Sequence, residues 1–524
     1  MKKIYHIDCT LRDGGYYNLW NFEEPLVKKY LESMENLNID FVEIGFRFLK
    51  DTSNLGPYAS SSEKNIRKLK IPKQLKLATM INIGEFTELD LSSELNKLFV
   101  IKKKSKISLV RIASHKNEIG LALKAAKILK TKGYMTAINL MQISETNNNT
   151  LIKILKKINQ KYLDIFYFAD SLGCLSQKQT ELICKTIKKH CKKPFGIHAH
   201  DNMEIALQNT ITAYENGATF LDSTILGMGR GPGNTKTELL CSFLSIQKLK
   251  KYKLLFLTNL LDNYFEKLKK KYMWGTNLYY YLSAMYKIHP TYIQNMLSEK
   301  RYGENEIMLA IENLKFQKCK TYSPSIYKSS KIFLNQVQFK EMTDNRFENK
   351  KILVLANGPS LKNNTFKINK FIKNNKPIVI SLNYIRDLRI NKKVDFMGIC
   401  HPSRILSEIN SISKNIKLIT PFSSFNKELK DLTKNFKKID YGIKIEEQSL
   451  SFYKSHCVMQ KILVLPYVLS FLYACNVSTI HFAGLDGYEN DILHRKENNK
   501  ILKKFNSFNK KTIKFLTPTY YKIK

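Results

Sequence analysis

Eight short apolar runs, rich in β-branched and aromatic residues, recur through the first 240 or so residues with helical stretches between them, at 3–8, 40–45, 76–81, 107–112, 134–140, 163–169, 195–199 and 219–224. Strands that alternate with helices return to one sheet in parallel, and eight such units over this length predict a (β/α)8 TIM barrel. Polar residues collect where the runs end: Arg12 and Asp13, Glu43, Asn82, Arg111, Asn139, Asp170 and Ser171, His198 and His200, and Asp222. Barrels of this kind place their chemistry at the C-terminal ends of the strands.

Two of those clusters share one chemistry. IDCTLRDGG (7–15) ends an apolar run with Arg12 and Asp13, and HAHDN (198–202) ends another with two histidines. Alternate residues of a strand point to one face, so His198 and His200 can hold a single ion together with Asp13. Two imidazoles and a carboxylate leave coordination positions open, as a catalytic divalent metal requires. An arginine beside such a site adds cation to cation, and its natural use is to stabilise an oxyanion developing on a carbonyl. Glu43 has two readings, an acid–base or ligand-supporting carboxylate and a salt bridge within the barrel mouth. Cys9 reads as a small residue packed at a strand end. Gly229, Gly231 and Gly233 read as a tight loop near the site.

These residues carry a resemblance. DCTLRDGG, VEIGF (42–46), ADSLG (169–173), HAHDN and GMGRGPGN (227–234), in this order, resemble the metal-dependent aldolase and lyase superfamily that includes 4-hydroxy-2-oxovalerate aldolase, HMG-CoA lyase and isopropylmalate synthase. The resemblance covers residues 4 to about 240 and implies a divalent ion (Mn, Mg, Zn or Co) on Asp13, His198 and His200, with Asn234 reaching the metal or its surroundings. It also implies that Arg12 stabilises the enolate and that Ser171 orients a 2-oxo acid; Asn139 and Arg111 are further candidate substrate contacts. The aldolases carry an acid–base histidine just past the RDG turn, where this chain reads GGYYNLW. Tyr16 or water is the candidate replacement, and packing is the alternative role for Tyr16 and Tyr17. The cysteine loop of the CoA-dependent lyases has no counterpart in GMGRGPGN.

From about 246 to 330 the pattern is helical, with tyrosine and leucine at three- and four-residue spacing that suits a core or a homodimer contact. YLSAMYKIHPTYIQ resembles the helical extension of the aldolases, with His289 expected in a structural role. Residues 331–350 lose periodicity and read as a linker. The first domain is thus expected at 1–245, its extension at 246–330, and a second domain at 351–524.

That second domain opens with KKILVLANGPSLKNN, a strand, a loop and a helix start whose free amides suit an anionic group. Further runs at 377–382, 394–399, 416–420 and 478–483 predict an open α/β sheet of Rossmann-like type. ANGPSL (356–361), SLNYI (381–385), VDFMGICHPS (394–403) and the segment 455–488 resemble the bacterial sialyltransferase-like fold of glycosyltransferase family 42. By that resemblance Asn357, Gly358, Ser360 and Asn383 would meet a nucleotide-activated sugar, and His494 would stand for the family's general base. His401 stands where that family has asparagine.

The formal charge of +41 raises nucleic acid as a partner, yet only eleven of the 86 basic residues are arginine, and the lysines are scattered through helices. Readers of phosphate and bases favour the arginine fork, so no specific nucleic acid is expected; peripheral association with an anionic membrane, or attraction to anionic sugars, fits better. Nine dispersed cysteines without a CxxC pair suit a reducing compartment, and no run of eighteen apolar residues appears, so a cytoplasmic protein is expected. The whole reads as a bifunctional enzyme of bacterial surface-glycan synthesis: an aldolase acting on a 2-oxo acid and an aldehyde, fused to a nucleotide-sugar-binding domain. The alternatives are a CoA-dependent Claisen condensation on the same barrel, or a barrel enzyme with a non-catalytic C-terminal module.

Overall fold

A computed structural model describes residues 3–49, 55–158, 161–298, 304–316, 319–320, 322, 338–342, 344–385, 387–425, 427–446, 449–487, 492–508 and 513–522. All eight expected runs form strands: β1 (Tyr5–Asp8), β2 (Phe41–Phe46), β3 (Lys76–Asn82), β4 (Ile107–Ser114), β5 (Met135–Leu140), β6 (Ile165–Asp170), β7 (Phe195–Ala199) and β8 (Phe220–Ser223). They pair in parallel and in sequence order, and β8 closes on β1 with Tyr5 opposite Phe220 and Asp8 opposite Ser223.

The period of two in each strand sorts its side chains. Ile7, Cys9, Phe41, Ala78, Leu109, Ala137, Ile165, Tyr167 and Phe220 fill the barrel interior. Val42, Ile44, Leu77, Ile81, Ile138, Phe166 and Phe168, in the other phase, pack outward against the helices. Helix starts are locally encoded. The helix Gln177–His190, for example, begins at a capping box in which Ser176 and Gln179 satisfy one another's backbone N–H groups. Its last turn places Lys188, Lys189 and His190 at the negative end of the helix dipole.

After the barrel the chain is helical at Leu255–Leu260, Leu261–Phe265 (one π turn), Glu266–Tyr272, Leu278–Met285 and Pro290–Ser298. This extension and the turn after β1 brace the loop that follows β8: Trp274 Nε1 donates to the Leu226 carbonyl at 2.9 Å, Gln294 accepts the Gly231 N–H at 2.9 Å, and the hydroxyl of Tyr17, from the turn after β1, donates to the Gly231 carbonyl. Contacts divide the chain into two compact units, one of Met1–Tyr302 with Ile311–Tyr322 and one of Gly303–Ala310 with Ser323–Lys524. Part of the linker expected at 331–350, residues 331–337 and 343, lies outside the described residues.

The second unit contains a seven-stranded, wholly parallel sheet. In chain order its strands are β9 (Lys351–Leu355), β10 (Ile378–Leu382), β11 (Phe396–Gly398), β12 (Lys417–Thr420), β13 (Lys438–Asp440), β17 (Thr479–Ala483) and β18 (Ile513–Phe515), and in space they run β13-β12-β11-β10-β9-β17-β18. A small sheet of β14 (Gly442–Ile445), β15 (Ser451–Phe452) and β16 (His456–Met459) completes the unit's strands. Both faces of the large sheet are covered. Ile352 and Val354 pack on one side with residues of the helices Val464–Ala474 and Ile492–Phe508, while Leu353 and Leu355 pack on the other with Leu361, Ile368, Ile405 and Leu429. Among the described residues no helix is long and apolar enough to cross a membrane.

Candidate metal centre

The turn after β1 makes one wall of the site. Residues Thr10–Asp13 form a single helical turn in which Arg12 and Asp13 are both buried, with Arg12 NH1 donating to Asp13 Oδ1 at 2.7 Å. β7 makes the facing wall. His198 and His200 flank Ala199 and project into the same space, their rings edge to face at 5.2 Å. Asp13, His198 and His200 each offer a ligand atom, all within 4.8 Å of one another, so the structure brings together the three residues that the motifs selected. Asn234 joins them through a bridge between its backbone and that of His200 and donates from Nδ2 to Asp13 Oδ2 at 2.5 Å.

Beneath this set lies a buried ion-pair network. Glu43 Oε2 accepts from Arg12 Nε at 2.8 Å and from Arg111 NH1 at 3.1 Å. Arg111 NH2 donates to Asp222 Oδ2 at 2.5 Å, and the same oxygen holds Nδ1 of His198 at 2.9 Å. Arg111 also lies over the Tyr167 ring at 4.3 Å and points NH1 at Cys9 Sγ, 3.3 Å away. Fixing Nδ1 on Asp222 leaves Nε2 of His198 to face Asp13 Oδ2 at 3.3 Å, the carboxylate–histidine arrangement that orients a metal ligand. For Glu43 the salt-bridge reading describes its contacts; for Arg111, the contacts are with protein carboxylates and an aromatic ring.

Protonation follows from these neighbours. Burial alone would raise the Asp13 carboxyl, but Arg12 and His198 hold it well below its ordinary range. Burial likewise opposes ionisation of Asp222, and Arg111 and His198 overcome it. Burial works against charging His198, whereas its bonds to Asp13 and Asp222 raise it. His200 is pushed well below its usual value by burial and then by Arg230, so it is neutral at pH 7.

The donor set fits a divalent cation on grounds internal to this structure. His200 Nδ1 and Asn234 Oδ1 are buried and have no hydrogen-bond partner, an expensive condition unless something else occupies them. One carboxylate, two imidazoles and an amide oxygen are a hard-to-borderline set suited to Mn, Mg, Zn or Co.

The remaining candidates surround this core. Ser171, next after β6, accepts the Gln142 N–H on Oγ at 3.0 Å, which leaves its hydroxyl proton to donate elsewhere. Its position depends on Asp170, whose carboxylate takes the N–H groups of Cys174 and Leu175 at 3.1 and 3.0 Å and thereby shapes the turn; burial lifts that carboxyl to about 6. Asn139 is buried at the end of β5 with an unpartnered Oδ1. Tyr16 lies at the mouth against Trp20 and Phe46, and burial raises its phenol. Cys9 packs inside the barrel, its thiol raised well above the usual value by burial.

Two residues of this centre, Asp222 and Arg230, received no role from sequence. In sequence Asp222 is one polar strand end among several, and Arg230 lies within the glycine-rich GMGRGPGN segment. In the second unit, Asn357 Nδ2 donates to the Tyr384 carbonyl at 2.8 Å, and Asn383 follows β10 at φ 60° with its Oδ1 buried and unpartnered. Gly358 has no room for a side chain, since a Cβ there would stand 2.4 Å from the Gly484 carbonyl oxygen. Ser360 gives its backbone N–H to Asp486 Oδ2 at 2.6 Å and its hydroxyl to the same carboxylate. The chain's own carboxylate therefore occupies the helix start expected to take an anionic group. The side chain of His494 lies outside the described residues.

Comparison with known proteins agrees with the barrel. Residues 3–262 match the HMGL-like family profile. The 4-hydroxy-2-oxovalerate aldolase of Carboxydothermus hydrogenoformans is 30% identical over 248 residues, 47% of this chain and 71% of the relative. The enzyme of the same name from Geobacillus genomosp. 3 is 27% identical over 243 residues, 46% of this chain and 69% of the relative. Among solved structures, the N-terminal domain of a candidate aldolase from Bacteroides vulgatus matches with a TM-score of 0.51 and 34% identity, over 59% of this chain and 100% of that one. With its parallel eight-stranded barrel, its ordered motifs and relatives of this identity and coverage, the chain belongs to the HMGL-like family.

Proposed function

We propose that the barrel is a divalent-metal-dependent aldolase, a carbon–carbon lyase that joins or separates a 2-oxo acid and an aldehyde. The observation that carries this reading is the convergence of Asp13, His198 and His200 beside the Arg12 guanidinium at the barrel mouth. Asp13, His198 and His200, with Asn234, would hold the ion, which when bound supplies a Lewis acid for the carbonyl of the oxo acid. Arg12, fixed at Nε by Glu43 and at NH1 by Asp13, offers its remaining nitrogen to the oxyanion that develops on the substrate. Such a preorganised donor contributes on the order of 3 kcal/mol to the transition state. Ser171 donates its free hydroxyl proton to the oxo acid's carboxylate, and Asn139 supports the same end.

Tyr16 takes the place of the missing acid–base histidine as a proton donor. A phenol raised above its ordinary value stays protonated at pH 7, so in the addition direction it can deliver a proton to the new alkoxide. The CoA-dependent alternative has no observation in its favour here.

The test is cleavage of 4-hydroxy-2-oxo acids by the full chain. Activity that EDTA abolishes and Mn restores is expected; cleavage that survives exhaustive chelation would remove the metal from the account. For the second unit, we infer a nucleotide-sugar-binding role centred on Asn357 and Asn383 at the C-terminal ends of β9 and β10. The buried, unpartnered Asn383 Oδ1 supports it. Calorimetric titration with CMP- and UDP-sugars that shows no heat would sink that role.

A further inference from the structure

Arg230 is a cation at the barrel mouth that none of the steps above uses. It lies on the loop between β8 and the helix Thr237–Ile246. Its NH2 donates to the Ser171 carbonyl at 3.2 Å, and its NH1 stands 3.5 Å from Nε2 of His289. Nε is buried with no hydrogen-bond partner, and among the described residues no carboxylate pairs with the guanidinium. A guanidinium carries five N–H donors in a planar fork, so one carbonyl and one imidazole leave most of that capacity unspent.

The position of Arg230 is built rather than incidental. The loop backbone is locked by Gly231 and Gly233 at φ 65° and 93°, by the bond from Gly231 N–H to Gln294, and by the Tyr17 hydroxyl on the Gly231 carbonyl. His289, which sequence assigned to structure, is buried on the helical extension with its backbone N–H on the Cys319 carbonyl at 3.0 Å. The guanidinium lies beside the candidate centre, held against the backbone of Ser171, the residue that follows β6. Burial and then Arg230 hold His289 well below its usual value, so it stands as a neutral neighbour and not as a competing cation.

Charge counting identifies what is missing. With His198 neutral, as a metal ligand must be, Arg12 and Arg111 against Asp13, Glu43 and Asp222 leave one negative charge in the buried network. A divalent ion turns that into one positive charge, and the carboxylate of the oxo acid cancels it. Arg230 then remains unbalanced, next to Ser171 on the side of the centre that the oxo acid does not neutralise. A half-buried charge without a counter-ion is costly, and an anionic ligand removes the cost.

We propose that Arg230 determines specificity for the carbonyl partner, and that this partner is an aldehyde carrying an anionic group, a carboxylate or a phosphate. The inference rests on the aldolase reading above and deepens it. Arg230 grips the anion through its fork, the loop glycines fix the distance to the reacting centre, and neutral aldehydes lack that grip.

The test uses the Mn-loaded full chain with pyruvate and two matched pairs of aldehydes, glyceraldehyde with glyceraldehyde 3-phosphate and propionaldehyde with succinic semialdehyde. The wild type is expected to favour the charged member of at least one pair by about tenfold or more in kcat/KM, mostly through KM. The favoured pair tells phosphate from carboxylate. Arg230→Gln is expected to erase the preference and Arg230→Lys to keep part of it, with circular dichroism confirming that both variants fold. Equal rates within both pairs, or a preference that survives Arg230→Gln, would overturn the proposal. Should Arg230→Gln fail to fold, Arg230→Lys decides, because losing the fork must lower the preference by at least about threefold. Exchange of pyruvate methyl protons in heavy water, run beside these assays, separates the two failures. No exchange in the wild type defeats the aldolase reading and this inference with it; exchange without an anionic preference defeats this inference alone.

Discussion

Asp222 shows how far one buried side chain reaches. Through a single oxygen it fixes Nδ1 of His198 and neutralises Arg111, so it acts on the metal ligand and on the Glu43 network at once. Asp222→Asn is expected to weaken Mn binding roughly 10- to 100-fold, as loss of an outer partner of a ligand histidine does. Asp222→Ala should also cost about 3 kcal/mol in denaturant unfolding, because it leaves buried Arg111 NH2 unpaired and only the Glu43 oxygen, shared with Arg12, as counter-charge. An isothermal titration and a urea melt read the two effects separately. His6 makes a contrasting prediction about pH. It is wholly buried on β1, with Nε2 2.5 Å from Ser223 Oγ and Nδ1 2.9 Å from the Tyr252 hydroxyl, and burial followed by Lys250 lowers it to about 3. A histidine lowered on folding binds its proton more tightly in the unfolded chain. Stability is therefore full above pH 6.5 and falls as pH drops toward 3. At pH 4 the loss is on the order of 3 kcal/mol. Wild type should lose that much more than His6→Gln between pH 7 and pH 4 in paired melts, and equal losses would contradict the assignment.

At the scale of elements, the loop after β8 decides whether the site assembles. Gly233 adopts φ 93°, and a Cβ there would meet the Gly227 carbonyl oxygen at 1.9 Å, a distance that no rotation relieves. Gly233→Ala should displace Asn234 and Arg230 together, with a loss of roughly 2 kcal/mol or more in stability and a severe loss of Mn affinity. Unchanged Mn affinity would show that Asn234 does not serve the ion. These elements were unequally legible in sequence. The strands could be read because apolar runs of five to eight residues bounded by polar turns have few other uses, and the HxH pair because a strand's period of two dictates its geometry. Asp222 and Arg230 could not be read, because their roles are set by partners far along the chain: Asp222 meets Arg111 from β4, and Arg230 meets His289 from the helical extension. In the second unit the strands β9 to β12 and β17 were legible for the same reason as the barrel's. The contact between Ser360 and Asp486 was not, since it joins loops 126 residues apart.

For the molecule as a whole, two separate compact units with separate cores mean that the ion should stabilise only one of them. At a hundred times its Kd, Mn is expected to add about 2.7 kcal/mol to unfolding of the barrel. Differential scanning calorimetry should show the barrel's transition move while the second unit's does not, and a common shift of all transitions would argue against a site confined to the barrel. The strong positive charge of the chain, by contrast, is spread over surface lysines and plays no part in the buried network, whose cations are all arginine. Enolisation of a 2-oxo acid at Asp13, His198 and His200 is the step on which the proposed activity depends. Its most direct measurement is exchange of pyruvate methyl protons with heavy water, followed by proton NMR on the Mn-loaded full chain beside Asp13→Asn and His200→Ala. Exchange that requires the metal and falls at least about a hundredfold in both variants is the predicted result. Exchange that persists in either variant, or none in the wild type with Mn bound, would contradict it.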